Sequence, residues 1–201
     1  MKRRDDFLIG PREKAIKAIK TGKKQEALKY LNDVYEQCHV LHDGYCNSMS
    51  LFQGILAMVK GVKWFKTFTR ARIFEAYRPK FERWKAMSPE QRVEEICNMQ
   101  RGHYSEFHVE EDDKRFIVAI TGCNAGGRLI RDGIAKRQNA LTKKAYPWSF
   151  NRSSFPYYCV HAYFFNELWR ELGIKAEIQW GKQYDDEGNP IEEPCKYVIY
   201  K

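Results

Sequence analysis

Three cysteines and one histidine in the second half of the chain stand where glycine or proline interrupts regular structure. Cys123 lies in Gly122-Cys123-Asn124-Ala125-Gly126-Gly127-Arg128, Cys159 and His161 in Pro156-Tyr157-Tyr158-Cys159-Val160-His161, and Cys195 in Glu193-Pro194-Cys195-Lys196-Tyr197. Thiolates and an imidazole gathered by folding can hold a thiophilic metal, zinc or iron, or present one activated thiolate to a small substrate.

Each member also has a plainer reading. Cys123 follows a predicted strand, and converging N–H groups at the next helix start would favour its thiolate; the glycines equally serve a tight strand-to-helix junction. They complete neither a Walker loop nor a dinucleotide fingerprint. Cys159 and His161 are two residues apart, so they reach one centre only if one of them lies in the entry turn of the helix opened by Pro156. Otherwise Cys159 is a small buried hydrophobe and His161 a hydrogen-bonded core residue. Cys195 begins the last strand, and its meeting with the other two depends on strand ends and helix starts sharing one edge of a sheet. The spacings lack the paired CxxC pattern of a zinc module.

A second group lies earlier. Cys38, His42 and Cys46 recur at four-residue steps, and Asp43 follows His39 by four. His42 and Cys46 can ligate a metal from one helical face while Asp43 orients a histidine as an outer carboxylate. The same stripe contains Tyr35, Tyr45, Met49 and Phe52, which is the pattern of core packing. His103 and His108 show no partner in the sequence. Tyr146-Pro147-Trp148-Ser149-Phe150-Asn151-Arg152 is an aromatic and polar connector that can wall a small-ligand pocket or pack on the surface.

The segments that must position these residues are of two kinds. Pro11 and Gly22 bracket a short helix, and an apolar stripe at steps of three or four then runs from about Lys24 to Lys60, with Gly44 as a candidate interruption. A third helix from about Val62 is expected to stop near Arg78-Pro79, because the residue before proline resists helical angles. Ser88-Pro89-Glu90-Gln91 reads as a capping box opening a fourth, closed by Gly102. From Glu106 the period changes to two: strands 106–110 and 114–121 form a hairpin around Glu111-Asp112-Asp113. A helix over 128–137, another over 157–172, and strands 175–180 and 195–200 flanking an Asp185-Asp186-Glu187-Gly188-Asn189-Pro190 turn complete the chain. The expected fold class is α+β: a helical part, 1–105, and an α+β part, 106–201, share one core built on a four-stranded antiparallel sheet covered by helices.

With 201 residues, 43% of them hydrophobic and 14% aromatic, the chain can build one compact domain. Met1-Lys2-Arg3-Arg4-Asp5-Asp6 runs into only Phe7-Leu8-Ile9, which is not a secretory signal. The six cysteines are therefore read as free or metal-bound thiols in a reducing cytoplasm. No apolar run approaches the roughly 18 residues of a membrane span, so no membrane partner is expected. The net charge of +9 is concentrated in Lys60 to Lys85, where basic residues alternate with Trp64, Phe65, Phe68, Phe74, Tyr77, Phe81 and Trp84. That interleaving fits nucleic-acid binding, an amphipathic helix with a core stripe and solvated cations, or steering of a small anionic molecule. Self-association is compatible with all three.

From about Phe107 to Lys201 the chain resembles bacterial proteins grouped with L-2-amino-thiazoline-4-carboxylate hydrolase. The resemblance is carried by Cys123 with Gly126-Gly127-Arg128-Leu129, Trp148-Ser149, Pro156-Tyr157-Tyr158-Cys159 with His161, and Pro194-Cys195 before Tyr197-Val198-Ile199-Tyr200; His42-Asp43 also matches a pair in the helical half of these relatives. Some relatives carry a further cysteine directly after the histidine, where this chain has Ala162. The resemblance implies a hydrolase acting on a carbon–nitrogen or carbon–sulfur bond of a small, anionic compound. Cys159 or Cys123 would be the nucleophile, His161 the proton shuttle and Arg128 the carboxylate anchor, with Gly126, Gly127, Trp148, His42 and Asp43 around the substrate. In its metal version, Cys123, Cys159, His161 and Cys195 are the ligands. The hairpin, helix, hairpin order is also similar to 4-vinyl reductase-type ligand-binding domains, which implies a non-catalytic small-molecule sensor as the alternative, with nucleic-acid binding through 60–85 as a second.

Overall fold

The computed structural model describes residues 9–185, 187–191 and 193–201. The reading of the segment before Ile9, Asp186 of the expected turn, and Glu192 lie outside the described residues.

Pro11 takes the first position of α1 (Pro11–Lys20), which ends before Gly22 in the left-handed region at φ 70°. α2 (Lys24–Lys60) runs 37 residues and passes through Gly44 unbroken. One glycine costs about 1 kcal/mol in a helix interior, too little to stop an apolar stripe of this length.

α3 (Val62–Trp84) overruns its expected end and carries Pro79 inside. The residues beyond the proline explain this. Phe81 and Trp84 are buried, with Phe81 stacked edge-on against Phe165 and Trp169 at centroid distances of 5.0 and 5.4 Å, and Trp84 lying 5.6 Å from Trp169. Burying two large aromatic side chains offsets the roughly 3 kcal/mol that a helical proline costs. α4 (Pro89–Gly102) opens as expected: Ser88 Oγ accepts from the Gln91 amide at 3.3 Å, and Gln91 Oε1 accepts from the Ser88 amide at 2.9 Å.

β1 (Glu106–Glu111) and β2 (Arg115–Gly122) form the expected hairpin, with its turn one residue later because Asp112 Oδ1 accepts from the amides of Lys114 and Arg115 at 2.8 and 3.0 Å. The helix expected over 128–137 is two short ones, α5 (Gly126–Arg131) and α6 (Ile134–Arg137), divided at Gly133, which is left-handed at φ 64°. A single 3-10 turn, Tyr157–Cys159, leads into α7 (Val160–Glu171). β3 (Ala176–Gln179) and β4 (Cys195–Tyr200) close the sheet, whose order is β1-β2-β4-β3 with every pair antiparallel. The fold is α+β.

The chain divides into two compact units, Met1–Gly44 and Tyr45–Lys201. α3 and α4 belong with the sheet in the second unit and share its core around Phe65, Ile96, Val118, Leu168, Trp169 and Ile199. Among the described residues no helix is long and apolar enough to cross a membrane.

Candidate functional site

Cys123 leaves the end of β2, and Cys195 opens β4 in register with Ile120, so the sheet itself brings these two to one edge. Cys159 occupies the 3-10 turn ahead of α7, and His161 the first turn of α7. One member of the Cys159/His161 pair thus lies in a non-helical entry turn, as joint access to one site requires. All four side chains line a single cavity of about 60 Å³, together with Met99, Gln100, His103, Tyr158, Trp180 and Tyr197 among others.

Two of the three sulfurs in that cavity receive a backbone N–H donor. The Gly127 amide donates to Cys123 Sγ at 3.4 Å and the Gly181 amide to Cys195 Sγ at 3.3 Å; the Cys195 thiol in turn reaches the Gly181 carbonyl at 3.4 Å. Burial pushes the Cys159 thiol well above its ordinary range, with Cys123 and Cys195 adding to the effect. Burial likewise lifts Cys195 to about 12, reinforced by Cys123. Both are therefore neutral thiols near pH 7. Burial also lowers His161 below the ordinary histidine value, leaving a neutral ring. Its Nδ1 is 2.9 Å from the Tyr158 carbonyl, which only accepts, so Nδ1 carries the proton and Nε2 keeps its lone pair.

The four groups share walls rather than a tight centre. Among the described residues, no three of them have donor atoms all within 4.8 Å of one another. A metal shared by these residues would require their side chains to move inward.

The glycines are structural parts of the site. A β-carbon on Gly126 would overlap Cys159 Sγ, and one on Gly127 would meet Cys123 Cβ at 2.9 Å and Gln183 Oε1 at 3.0 Å. Arg128 is elsewhere: it is buried, donates to the Asn124 carbonyl at 3.1 Å and to Asn47 Oδ1 at 2.9 Å, and lies 3.8 Å from Asp132 Oδ2. It does not line the cavity, so the expected carboxylate anchor is instead a brace between α5 and α2. Trp148 is buried against Tyr146 and Tyr157, also away from the cavity lining. His42 and Asp43 are bonded to each other on α2, with Nδ1 to Oδ1 3.1 Å, and are not part of the lining.

The chain matches no family model, no curated protein and no solved structure.

Several site residues were not visible in the sequence. Gln183 is buried; its Oε1 accepts from the Cys123 amide at 2.9 Å and its Nε2 donates to the Ile120 carbonyl, so it ties the β2 exit to the segment before β4. Trp180 lines the cavity with the cysteines. His103, at the end of α4, lines the cavity and brings a ring nitrogen within 4.8 Å of Cys46 Sγ. Its sequence surroundings carry no signal of this, because Cys46 is 57 positions away and meets it only through folding. Cys46 is fully buried, with its sulfur 3.3 Å from the Tyr158 hydroxyl.

The basic aromatic segment is largely accounted for by α3. Phe65, Phe74, Phe81 and Trp84 are core residues, while Arg70, Arg78 and Lys80 pair with Glu167, Glu171 and Glu95 at 2.7, 2.5 and 3.1 Å. Trp64 and Phe68 remain at the surface, stacked 4.8 Å apart.

Proposed function

We propose that the thiol-lined cavity is the site of a small-molecule hydrolase of the thiazoline-carboxylate hydrolase type, acting on a carbon–nitrogen or carbon–sulfur bond. The observation that carries this reading is the convergence of Cys123, Cys159, Cys195 and His161, from separate segments, on one cavity. Cys123 is the favoured nucleophile. Cys159 is buried, and the thiol of Cys195, although that residue is as partly exposed as Cys123, is engaged with the Gly181 carbonyl. In the reaction, the Cys123 sulfur bonds to an electrophilic C=N carbon of the substrate, and the thiol proton passes to His161 Nε2. The imidazolium then returns a proton to the departing nitrogen or sulfur. Water adds to the carbon, and expulsion of the Cys123 sulfur regenerates the thiol.

Size sets a condition on this reading. A cavity of about 60 Å³ holds only a few waters, since one needs roughly 10–15 Å³ on the same measure. A ring compound that fills this cavity would displace wall side chains.

The decisive experiment is turnover of 2-amino-thiazoline-4-carboxylate and related cyclic amidines by the wild-type protein and by Cys123→Ser, Cys159→Ser and His161→Ala proteins. Loss of at least about 100-fold in Cys123→Ser and His161→Ala, with Cys159→Ser less affected, is expected. Full activity in both Cys123→Ser and His161→Ala would overturn the assignment. Saturable binding without turnover in the wild type would instead support the sensor reading.

A further inference from the structure

We propose that the outward face of α2 between Tyr45 and Val59 is the contact surface of a homodimer, with a second copy of this chain as its occupant. From Tyr45 to Val59 the sequence contains no Asp, Glu, Lys, Arg or His. A helix face turned to water ordinarily carries charged and polar residues, whereas this one carries its largest apolar side chains. Tyr45, Leu51, Phe52, Ile55, Met58 and Val59 are each between 42% and 67% exposed. At 3.6 residues per turn they cover one continuous arc of about 140°.

The side of the helix turned to the fold is the small one. Cys46, Ser50, Gly54 and Ala57 are buried, at helical steps of four, four and three. Gly54 sets the approach: a β-carbon there would stand 2.5 Å from the Gln138 carbonyl oxygen. Beside it, Gln138 Nε2 donates to the Asn47 carbonyl at 3.1 Å. This stretch of α2 is thus seated on its small residues, and it cannot roll its large ones into the core without opening these contacts.

Area and symmetry favour a second copy as the occupant. Half-exposed side chains of this size, the aromatic ones offering about 150–250 Å² each, together present on the order of 600 Å². That is at the upper end of what a monomer leaves uncovered, and two such faces together pass the roughly 1,000 Å² of a specific interface. Tyr45, Phe52 and Val59 are seven residues apart with Ile55 between them, the spacing of a helix-pair seam. A twofold axis crossing α2 at Phe52 sets Phe52 of the two copies together and Tyr45 of each against Val59 of the other, so one surface serves both partners. Without charge, the stripe meets itself without repulsion. A lipid surface fits less well, because interfacial helices carry Lys and Arg opposite their apolar face, and here the opposite face is the buried row of small residues.

The test is sedimentation velocity of the whole protein, under reducing conditions, from about 1 to 100 μM. The expected result is a concentration-dependent shift from one chain to two. Phe52→Glu and Ile55→Glu each put a carboxylate into the seam and should raise the dissociation constant at least about 100-fold. Far-ultraviolet circular dichroism should not change, since both positions are exposed in the single chain. Val109→Glu, at a comparably exposed apolar position on β1, should dimerise as the wild type does. A wild type that stays monomeric at 100 μM overturns the proposal without reliance on any variant's folding. So does a dimer that survives both stripe substitutions together, or one lost only in Val109→Glu. Monomers that instead bind anionic phospholipid vesicles, and lose that binding in Phe52→Glu, overturn it in favour of a lipid surface.

Discussion

Cys159 Sγ fills the space that a β-carbon on Gly126 would need. The contact joins the turn before α7 to the start of α5 across the cavity, and it makes residue size at 126 and 159 interdependent. Gly126→Ala should destabilise the protein by about 1–3 kcal/mol through overpacking. Adding Cys159→Ala should recover part of that loss. Urea unfolding of the two single variants and the double variant would give a coupling of about 0.5 kcal/mol or more; strict additivity would show that the sulfur does not constrain the glycine.

Cys195 predicts an alkaline limit to stability. Its folded-state value, about 12, exceeds the ordinary thiol value of 9.0. The folded state therefore holds the proton more tightly than the unfolded chain. The resulting stability is fully present below about pH 9 and declines as pH rises toward about 12. Relative to wild type, Cys195→Ala should show a shallower loss of stability across that window, measured by denaturant unfolding at successive pH values. Parallel curves would contradict it.

Arg128 distinguishes an anchor for substrate from a brace for the fold. Its guanidinium is buried on Asn124 and Asn47. Arg128→Lys cannot reproduce the forked geometry and should lower stability by about 1–3 kcal/mol. Among folded molecules, KM for any anionic substrate should change less than threefold. A KM increase of tenfold or more with unchanged stability would restore the anchoring role.

Gln183 holds two backbone groups at once, the Cys123 amide and the Ile120 carbonyl. Gln183→Leu should cost about 1–3 kcal/mol by leaving both without their partner. It should also increase the rate at which Cys123 is alkylated by iodoacetamide, since the β2 exit loses its tether. Unchanged alkylation would show that the exit is held by other contacts.

Phe81 tests why α3 continues beyond Pro79. It packs on Trp84, Phe165 and Trp169 at centroid distances of 4.9, 5.0 and 5.4 Å. Phe81→Ala should destabilise by about 3–5 kcal/mol. In the same protein, faster amide exchange should be confined first to the turn after Pro79; uniform exchange along α3 would separate the helix extension from this packing.

Much of the architecture was legible because it is written in local chemistry. The Ser88 capping box, the change from a helical to an alternating pattern at Glu106, and the last strand from Cys195 each depend on neighbouring residues only. The errors were also local rules overruled at a distance. Pro79 by local chemistry signals a stop, but aromatic burial beyond it carries α3 to Trp84; Gly133, in the left-handed region, divides a helix that the sequence pattern alone runs together.

For the site, residue types marked Cys123, Cys159, His161 and Cys195, and all four line one cavity, the first and last brought there by the register of β2 with β4. Their protonation could not be read from the sequence, because burial by residues remote in the chain sets it. Arg128 looked like an anion anchor because charge alone does not reveal a buried guanidinium's partners. His103 looked isolated for the complementary reason. The sequence by itself determined the elements and the inventory of reactive side chains, both properties of short segments. Only the tertiary structure decided which of those side chains share a wall, since contacts between β2, α4, α7 and β4 close loops tens of residues long and leave no periodic trace in the chain.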